Sequence, residues 1–239
     1  MRTLSAEVLK YRRTSALWLA LGLPLAVELL LLLIFFVVPD VKKLSLTGRW
    51  NFFTHSPLTT WIQTFLPLGL GIIAALALGL EHQDNQWKHA LVLGPSRVMV
   101  YLAKVLAVTA LILTASVVLA LSGLVVGGLF TGFHGIPWAE VGRGAGLAFL
   151  GSLGMISLQT WLATRFRAIG LSIGAALFLA ILGATISHSG YWAFVPWAYP
   201  ASATSFPGTL SLLPVALSVL VAAVVTALAA WDFNRRDMV

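Results

Sequence analysis

The sequence predicts an all-α integral membrane protein with six transmembrane helices, and three observations carry that prediction. Of 239 residues, 59% are hydrophobic and only 10% are charged, where soluble domains carry about 25% charged residues. Six apolar stretches have the length, roughly 20 residues, that a helix needs to cross the hydrocarbon core. No alternating barrel pattern is visible, and helices and closed barrels are the only structures that satisfy backbone polar groups in lipid. The chain therefore reads as one membrane domain, residues 1–239, with short loops and no segment long enough for a soluble domain.

The elements follow in order. Arg2, Lys10, Arg12 and Arg13 precede the first apolar run as the basic region of a signal peptide would. The run is too long for such a peptide and no small-residue cleavage site follows, so an uncleaved first span is expected. Leu4, Val8 and Tyr11 recur at helical spacing, with Lys10, Arg12 and Arg13 available to headgroups. This pattern predicts a short amphipathic helix at the interface, with a frayed basic tail as the alternative.

The six spans are expected at 15–38, 61–80, 98–128, 141–163, 169–187 and 212–231. The third is long enough to tilt or to overrun one face. Between the fifth and sixth, residues 187–211 have no charge and are rich in aromatics and prolines. Tyr191, Trp192, Trp197 and Tyr199 suit an outer aromatic belt. Pro196, Pro200 and Pro207 forbid a single long helix, so either a re-entrant or interface-lying segment or an ordinary anchored loop is expected.

Orientation follows from Lys and Arg. With the amino end inside, eleven cations fall on the cytoplasmic side and four (Lys42, Lys43, Arg49 and Arg143) on the outer side. Both termini are then cytoplasmic and the chain is a multi-pass protein of the plasma membrane. The formal charge of +7 flanks apolar runs, so lipid headgroups account for it and nucleic acid is not expected as a partner.

The chemistry is sparse. Cysteine is absent, which excludes disulfides and thiolate metal sites. His82 and His89 lack metal-ligand spacing, and no metal is expected. There is no paired intramembrane aspartate and no H-E-x-x-H. The chain has no Gly-Lys pair, which a phosphate-cradling loop requires before Ser or Thr. No catalytic residue is identified, and the chain is not expected to be an enzyme or to hydrolyse ATP alone. Leu121-Ser122-Gly123 lies inside the third span and Ser187-His188-Ser189-Gly190 at a span end, and neither reads as a reactive site.

Glu28 lies near the middle of the first span, where an acid costs a few kcal/mol and should face a cavity or a partner. It is a candidate for a substrate or proton path, or a protonated carboxyl bonded to a neighbouring helix. Gln63, near the outer face, and Gln159, near the inner one, are expected to bond between helices. Gly123 and Gly127, Gly142 and Gly146, and Gly170 and Gly174 are spaced for close helix approach. Packing within the chain is one reading, and a subunit contact through Gly170 and Gly174 is the other.

The longest polar departure is residues 81–104, EHQDNQWKHALVLGPSRVMVYLAK. Acids come first, then Trp87-Lys88, then the Gly94-Pro95 break, then Arg97 and Lys104. An apolar membrane protein keeps such a segment where it meets water or a partner. The segment reads as a docking handle for a soluble partner. A solvated loop with its Trp in headgroups is the alternative.

Three parts of the chain together resemble the permease subunits of ABC-2 type ATP-binding-cassette transporters, particularly the small six-span permeases of antibiotic-peptide immunity and export. They are residues 4–13, similar to the family's amphipathic entry helix; Glu81, Trp87-Lys88, Pro95-Ser96-Arg97 and Lys104, similar to its coupling region; and Pro196-Trp197-Ala198-Tyr199-Pro200, similar to its outer aromatic segment. The resemblance implies a permease paired with a second, identical or related permease and with two separate ATPase subunits that bind Mg-ATP. In the family a short helix of the first cytoplasmic loop fits a groove on the ATPase, which here implies a helix from about Asn85 to the Gly94-Pro95 break, with Trp87 and Leu91 on one apolar face and Glu81, Asp84 and Lys88 setting its polar register. The resemblance also implies export of amphiphilic peptides or hydrophobic drug-like compounds from an oligomer in the bilayer. The competing readings are a secondary transporter using Glu28 without ATP, and a structural or sensory membrane protein.

Overall fold

The computed structural model describes residues 14–83, 96–166, 168–205 and 208–235. Among the described residues there is no strand, and six helices are long and apolar enough to cross a membrane. Helix α1 is Ser15–Val37, followed by the short α2, Pro39–Lys42. Helix α3, Leu46–Thr60, runs through a π-helical turn at Trp61–Phe65 into α4, Leu66–Gln83. Then come α5, Arg97–Thr131, α6, Trp138–Arg165, and α7, Ile169–Ile186. Two 3-10 turns lead to α8, Tyr199–Ser205, and a third leads to α9, Leu212–Arg235. The interfacial helix expected over Leu4, Val8, Lys10, Tyr11, Arg12 and Arg13 lies outside the described residues.

Local chemistry sets several helix ends. The Ser96 side chain accepts from the Met99 backbone N–H at 3.3 Å and starts α5. The Ser45 side chain does the same for Gly48 at 3.2 Å and starts α3. Each supplies one acceptor to a helix N-terminus that has no intrahelical partner for its first N–H groups. At the other end of α5, Gly132 adopts φ +64, the left-handed conformation that a side chain would resist.

Helix α6 is the centre of the bundle. It packs along α9 over the longest interface, and also against α5, α4 and α8. Its buried face includes Ala148, Gly151, Ser152 and Gly154, while many large side chains point outward, among them Trp18, Leu29, Phe36, Leu121, Phe178 and Leu220. This inversion of a soluble protein follows from the solvent. Lipid tails are as apolar as Leu, so helices gain most from close contact through small residues and from interhelix hydrogen bonds. Ser218 on α9 shows both effects: its hydroxyl donates to the Gly151 carbonyl at 2.7 Å and accepts from the Gly154 N–H at 2.9 Å.

Helix α3 is the main departure from the expected pattern, which placed no helix between the first span and residue 61. A Cβ at Gly123 would lie 2.6 Å from the Phe53 carbonyl oxygen and 3.0 Å from Glu28 Oε1, whereas one at Gly69 would lie 2.8 Å from Leu23. Phe53 also packs its ring 5.1 Å from that of Phe35, so α3 meets both α1 and α5, and the π-turn at Trp61–Phe65 joins it to α4 within the stretch Leu46–Leu78, one of the six of membrane-spanning length. Sequence reading missed it because His55, Ser56, Pro57 and several threonines dilute the apolar run.

The segment after α7 enters the bundle. A Cβ at Gly151, halfway along α6, would meet the Pro200 backbone nitrogen at 3.1 Å, and one at Gly183 would meet Trp197 backbone atoms at 2.8 and 2.9 Å. Trp197 and Tyr199 are buried, and the Tyr199 hydroxyl donates to the Ala193 carbonyl at 2.8 Å. This corrects the belt expected there: Tyr191 is exposed, but Trp197 and Tyr199 face protein. Their burial is possible because Gly151 and Gly183 leave room for the backbone to approach.

Candidate functional site

Three places among the described residues concentrate polar chemistry, and the first is the end of the bundle where α5 begins and α6 and α9 finish. There the 84–95 segment joins α4 to α5. Asp84, Trp87, Lys88 and Leu91 lie outside the described residues, and Glu81 falls in the last turn of α4. Arg97 opens α5 directly after the Ser96 cap, and its Nη1 donates to the Asn234 carbonyl on α9 at 3.3 Å. Trp161 on α6 donates from Nε1 to Asp232 Oδ2 on α9 at 3.1 Å. Tyr101 and Phe233 pack with ring centroids 5.8 Å apart, and the Arg235 guanidinium sits 3.9 Å above the Trp231 ring. The start of α5, the end of α6 and the end of α9 are thus tied into one junction.

Lys104 departs from its expected setting. It stands in the third turn of α5 and is 1% exposed, not on a water-facing surface. The roughly two intervening turns of helix carry it from the segment's edge into the bundle, a consequence of α5 beginning at Arg97 that counting charges does not show.

The second place is Glu28. It is 4% exposed, and neither carboxyl oxygen has a hydrogen-bond partner among the described residues. The neighbouring helix therefore does not supply the bond that a purely structural carboxyl would seek. Its Oε1 lies against Gly123 of α5, beside the Phe53 carbonyl of α3. Toward the far end, Phe35, Phe53 and Phe130 stack with centroid distances of 4.6 to 5.2 Å. Beyond them, Arg49 donates to the carbonyls of Leu44, Phe130 and Lys42, and Trp50 to that of His134 at 2.8 Å. These bonds hold α3 down on α5.

The remaining candidates separate. Gln159 is fully buried, and its Nε2 donates to the Ser172 carbonyl at 2.9 Å and hydroxyl at 3.1 Å, joining α6 to α7. Gln63 is exposed, in the π-turn, and bonds to no other helix among the described residues, which corrects the interhelix role expected for it. Gly170 and Gly174 are also exposed, and a Cβ at either would meet nothing within 4 Å. Among the described residues they pack against nothing. The pair Gly123 and Gly127 does pack, facing Phe53 and Trp50 respectively. Spacing alone cannot tell these pairs apart, because it does not say which face of a helix meets a neighbour.

The third place was not singled out in the sequence. Between α3, α6 and α8 lies an open pocket of about 350 Å³ whose lining includes Thr54, His55, Thr59, Glu140, Arg143 and Thr204. Each residue comes from a stretch that looks like loop or span edge, and the packing of α3 and α8 against α6 brings them together. Among the described residues no group of three or more His, Asp or Glu side chains is arranged to hold a metal.

An all-helical bundle with six membrane-length helices and a lipid-like exterior defines a polytopic membrane protein. The family model for ABC-2 family transporter proteins matches residues 3–183, about three quarters of the chain. The protein belongs to the ABC-2 transporter family and is a permease-type membrane subunit. The match ends within α7, before the re-entrant segment and α9. Neither the comparison with curated proteins nor that with solved structures returned a match. Membership implies a membrane setting and a partner ATPase, and subunits of this type are generally not catalytic themselves.

Proposed function

We propose that this chain is the membrane subunit of an exporter of amphiphilic peptides or hydrophobic drug-like compounds, driven by a separate ATPase that docks on the 84–95 segment. Both termini and that segment then face the cytoplasm of a cell whose plasma membrane holds the protein. A second permease, identical or related, and two ATPase subunits with Mg-ATP complete the assembly. The observation that carries this reading is the family membership, joined to the placement of the segment's far end. Arg97 begins α5 and is bonded to α9, which is bonded in turn to α6 through Trp161 and Asp232. A displacement imposed at residues 84–95 enters α5 at its first turn and reaches two further helices without passing through a flexible loop.

Trp87, Leu91 and Lys88, with Glu81, Asp84 and Arg97 around them, form the proposed grip. The deciding experiment is purification in mild detergent from the native cell. A cassette ATPase should co-purify in stoichiometric amount, and Trp87→Ala should lose it. Retention of no ATPase by the unaltered protein under gentle conditions would sink the proposal.

A second reading is favoured by one observation, the buried carboxyl of Glu28 without a hydrogen-bond partner among the described residues. It makes the chain a secondary transporter that couples flux to protons through Glu28. Substrate flux in vesicles lacking ATP, abolished by Glu28→Gln, would establish it against the ATP-driven reading.

A further inference from the structure

A groove of about 780 Å³, open along one side, runs between α5, α6 and α9. Large exposed side chains border it, Leu102 and Leu106 on α5 and Trp231 on α9, while α9 contributes small ones between them, Ala222, Ala223 and Ala227. The lining runs from Val98 to Thr109 on α5, about 16 Å of helix, and from Val219 to Asn234 on α9, about 22 Å. One leaflet is half of a hydrocarbon core of about 30 Å, so the groove is at least as deep as a leaflet. The polar side chains along its length are bonded within the chain: Thr109 donates to the Val105 carbonyl at 2.7 Å, and Thr226 to the Ser157 hydroxyl at 3.2 Å. Such a wall suits a hydrocarbon chain. An extended peptide laid in it would leave its backbone N–H and C=O groups unsatisfied in lipid.

One end of the groove is different. Trp231 and Asn234, where the α9 side finishes, each touch a guanidinium: Arg235 lies 3.9 Å from the centre of the Trp231 ring, and Arg97 Nη1 donates to the Asn234 carbonyl at 3.3 Å. Arg235 is exposed and forms no ion pair among the described residues. A guanidinium has five N–H donors in a fork that fits phosphate oxygens in pairs, and a ring beneath it does not use up that fork. The acid of the same turn, Asp232, accepts from Trp161 on α6. A helix of a second copy seated here would have to bring an acid to this one level. A phospholipid carries its phosphate there in any case, at the boundary of the leaflet whose chains fill the groove.

We propose that this groove is the seat of one anionic phospholipid of the phosphatidylglycerol type, an acyl chain lying between α5 and α9 and the phosphodiester meeting Arg235, with Arg97 beside it. Phosphatidylcholine would bring a fixed positive charge to the same arginines and binds less well. Phosphate without chains gains nothing from the groove. A lipid so placed bridges the first turns of α5 and the last turns of α9, the two helices that Arg97 also joins. The seat needs only this chain and a bilayer, so it stands apart from the export reading.

The test exposes the full chain in mild detergent to an equimolar mixture of phosphatidylglycerol and phosphatidylcholine with the same acyl chains, and reads retained lipid by native mass spectrometry. Phosphatidylglycerol should be retained in preference. Arg235→Gln should cut that preference about fivefold, the worth of one cation beside an anionic headgroup, and Arg235→Lys should keep most of it. Ala223→Leu, which fills the groove and leaves both arginines in place, should lower retention of both lipids. A phosphatidylglycerol with a photoreactive group on its acyl chain should label residues 98–109 or 219–234. Equal retention of the two lipids, a preference untouched by Arg235→Gln, retention untouched by Ala223→Leu, or label spread evenly over the lipid-facing helices overturns the proposal. The chain has no cysteine, so Ala223→Cys introduces a single thiol. Disulfide-linked dimers of that variant in the membrane would put a second copy in the groove and overturn the proposal as well. Because no ATPase takes part, failure here leaves the docking experiment intact, and failure of docking leaves this one intact.

Discussion

The two ends of the bundle are built on different principles. At the end where α5 begins and α6 and α9 finish, helices stop in register and are joined by side chains near their ends: Arg97 to α9, and Trp161 to Asp232. At the opposite end Arg49 and Trp50 also bond between elements, but there backbone enters the bundle as well. Helix α3 brings the Phe53 carbonyl against Gly123 of α5, and the segment from Trp197 to Pro200 presses its main chain against Gly151 and Gly183. Bonds between side chains can be broken one at a time and the helices still pack. Contacts between backbones admit no substitute, because the missing Cβ is the only space. The first end is suited to transmit a displacement and the second to hold a shape around a pocket.

The largest effect that would test this contrast is expected at Gly151. Gly151→Leu drives a side chain into the Pro200 backbone, and overpacking of this kind costs about 1–3 kcal/mol or more. The variant should lose most of its folded fraction on heating in detergent, and unfolding like the unaltered protein would show that the re-entrant segment can move aside. Glu28→Leu should act in the opposite direction. A buried polar group without a partner costs about 1–3 kcal/mol, so the variant should melt higher while losing whatever function the carboxyl serves. A lower melting temperature would mean that Glu28 is bonded in the membrane after all.

At the end where α5 begins the expected effects are smaller. Trp161→Phe keeps the ring and removes the bond to Asp232, a loss of about 1–2 kcal/mol. In the assembled transporter it should uncouple ATP hydrolysis from transport more than it lowers the melting temperature. A drop in stability with coupling unchanged would deny the junction its transmitting role. The smallest effect is expected at Gly170→Ala, where open space surrounds the added methyl. Helix propensity favours Ala by up to about 1 kcal/mol, so the isolated chain should be slightly stabilised. If the same change disrupts the permease pair in crosslinking, Gly170 and Gly174 belong to the subunit interface.

Much of this was legible in the sequence. The six spans follow from runs of apolar residues, and their number needs no knowledge of packing. Glu28 was identifiable as unusual because an acid in an otherwise apolar run is visible without coordinates. Helix α3 was not, since Pro57 and the surrounding threonines reduce the apolar signal that marks a span. Nor was the pocket: Thr54, Glu140 and Thr204 are ordinary residues in three distant places, and no spacing rule connects them. Gln63 and Gln159 look alike in the sequence, yet one is exposed and the other is bonded to Ser172. The difference is which side of each helix meets a neighbour, and all sides of a membrane helix are apolar enough to hide it.

Composition and the order of apolar runs determined that the chain is a membrane protein with six helices long enough to cross a bilayer, because these depend on what residues are present and in what runs. Tertiary structure decided which glycines are contacts and which are open, where the aromatic segment goes, and which hydroxyls surround Glu140. The reason is that lipid removes the amphipathic pattern that in water tells a helix which face to bury. In a bilayer that choice is left to the fit of one backbone against another.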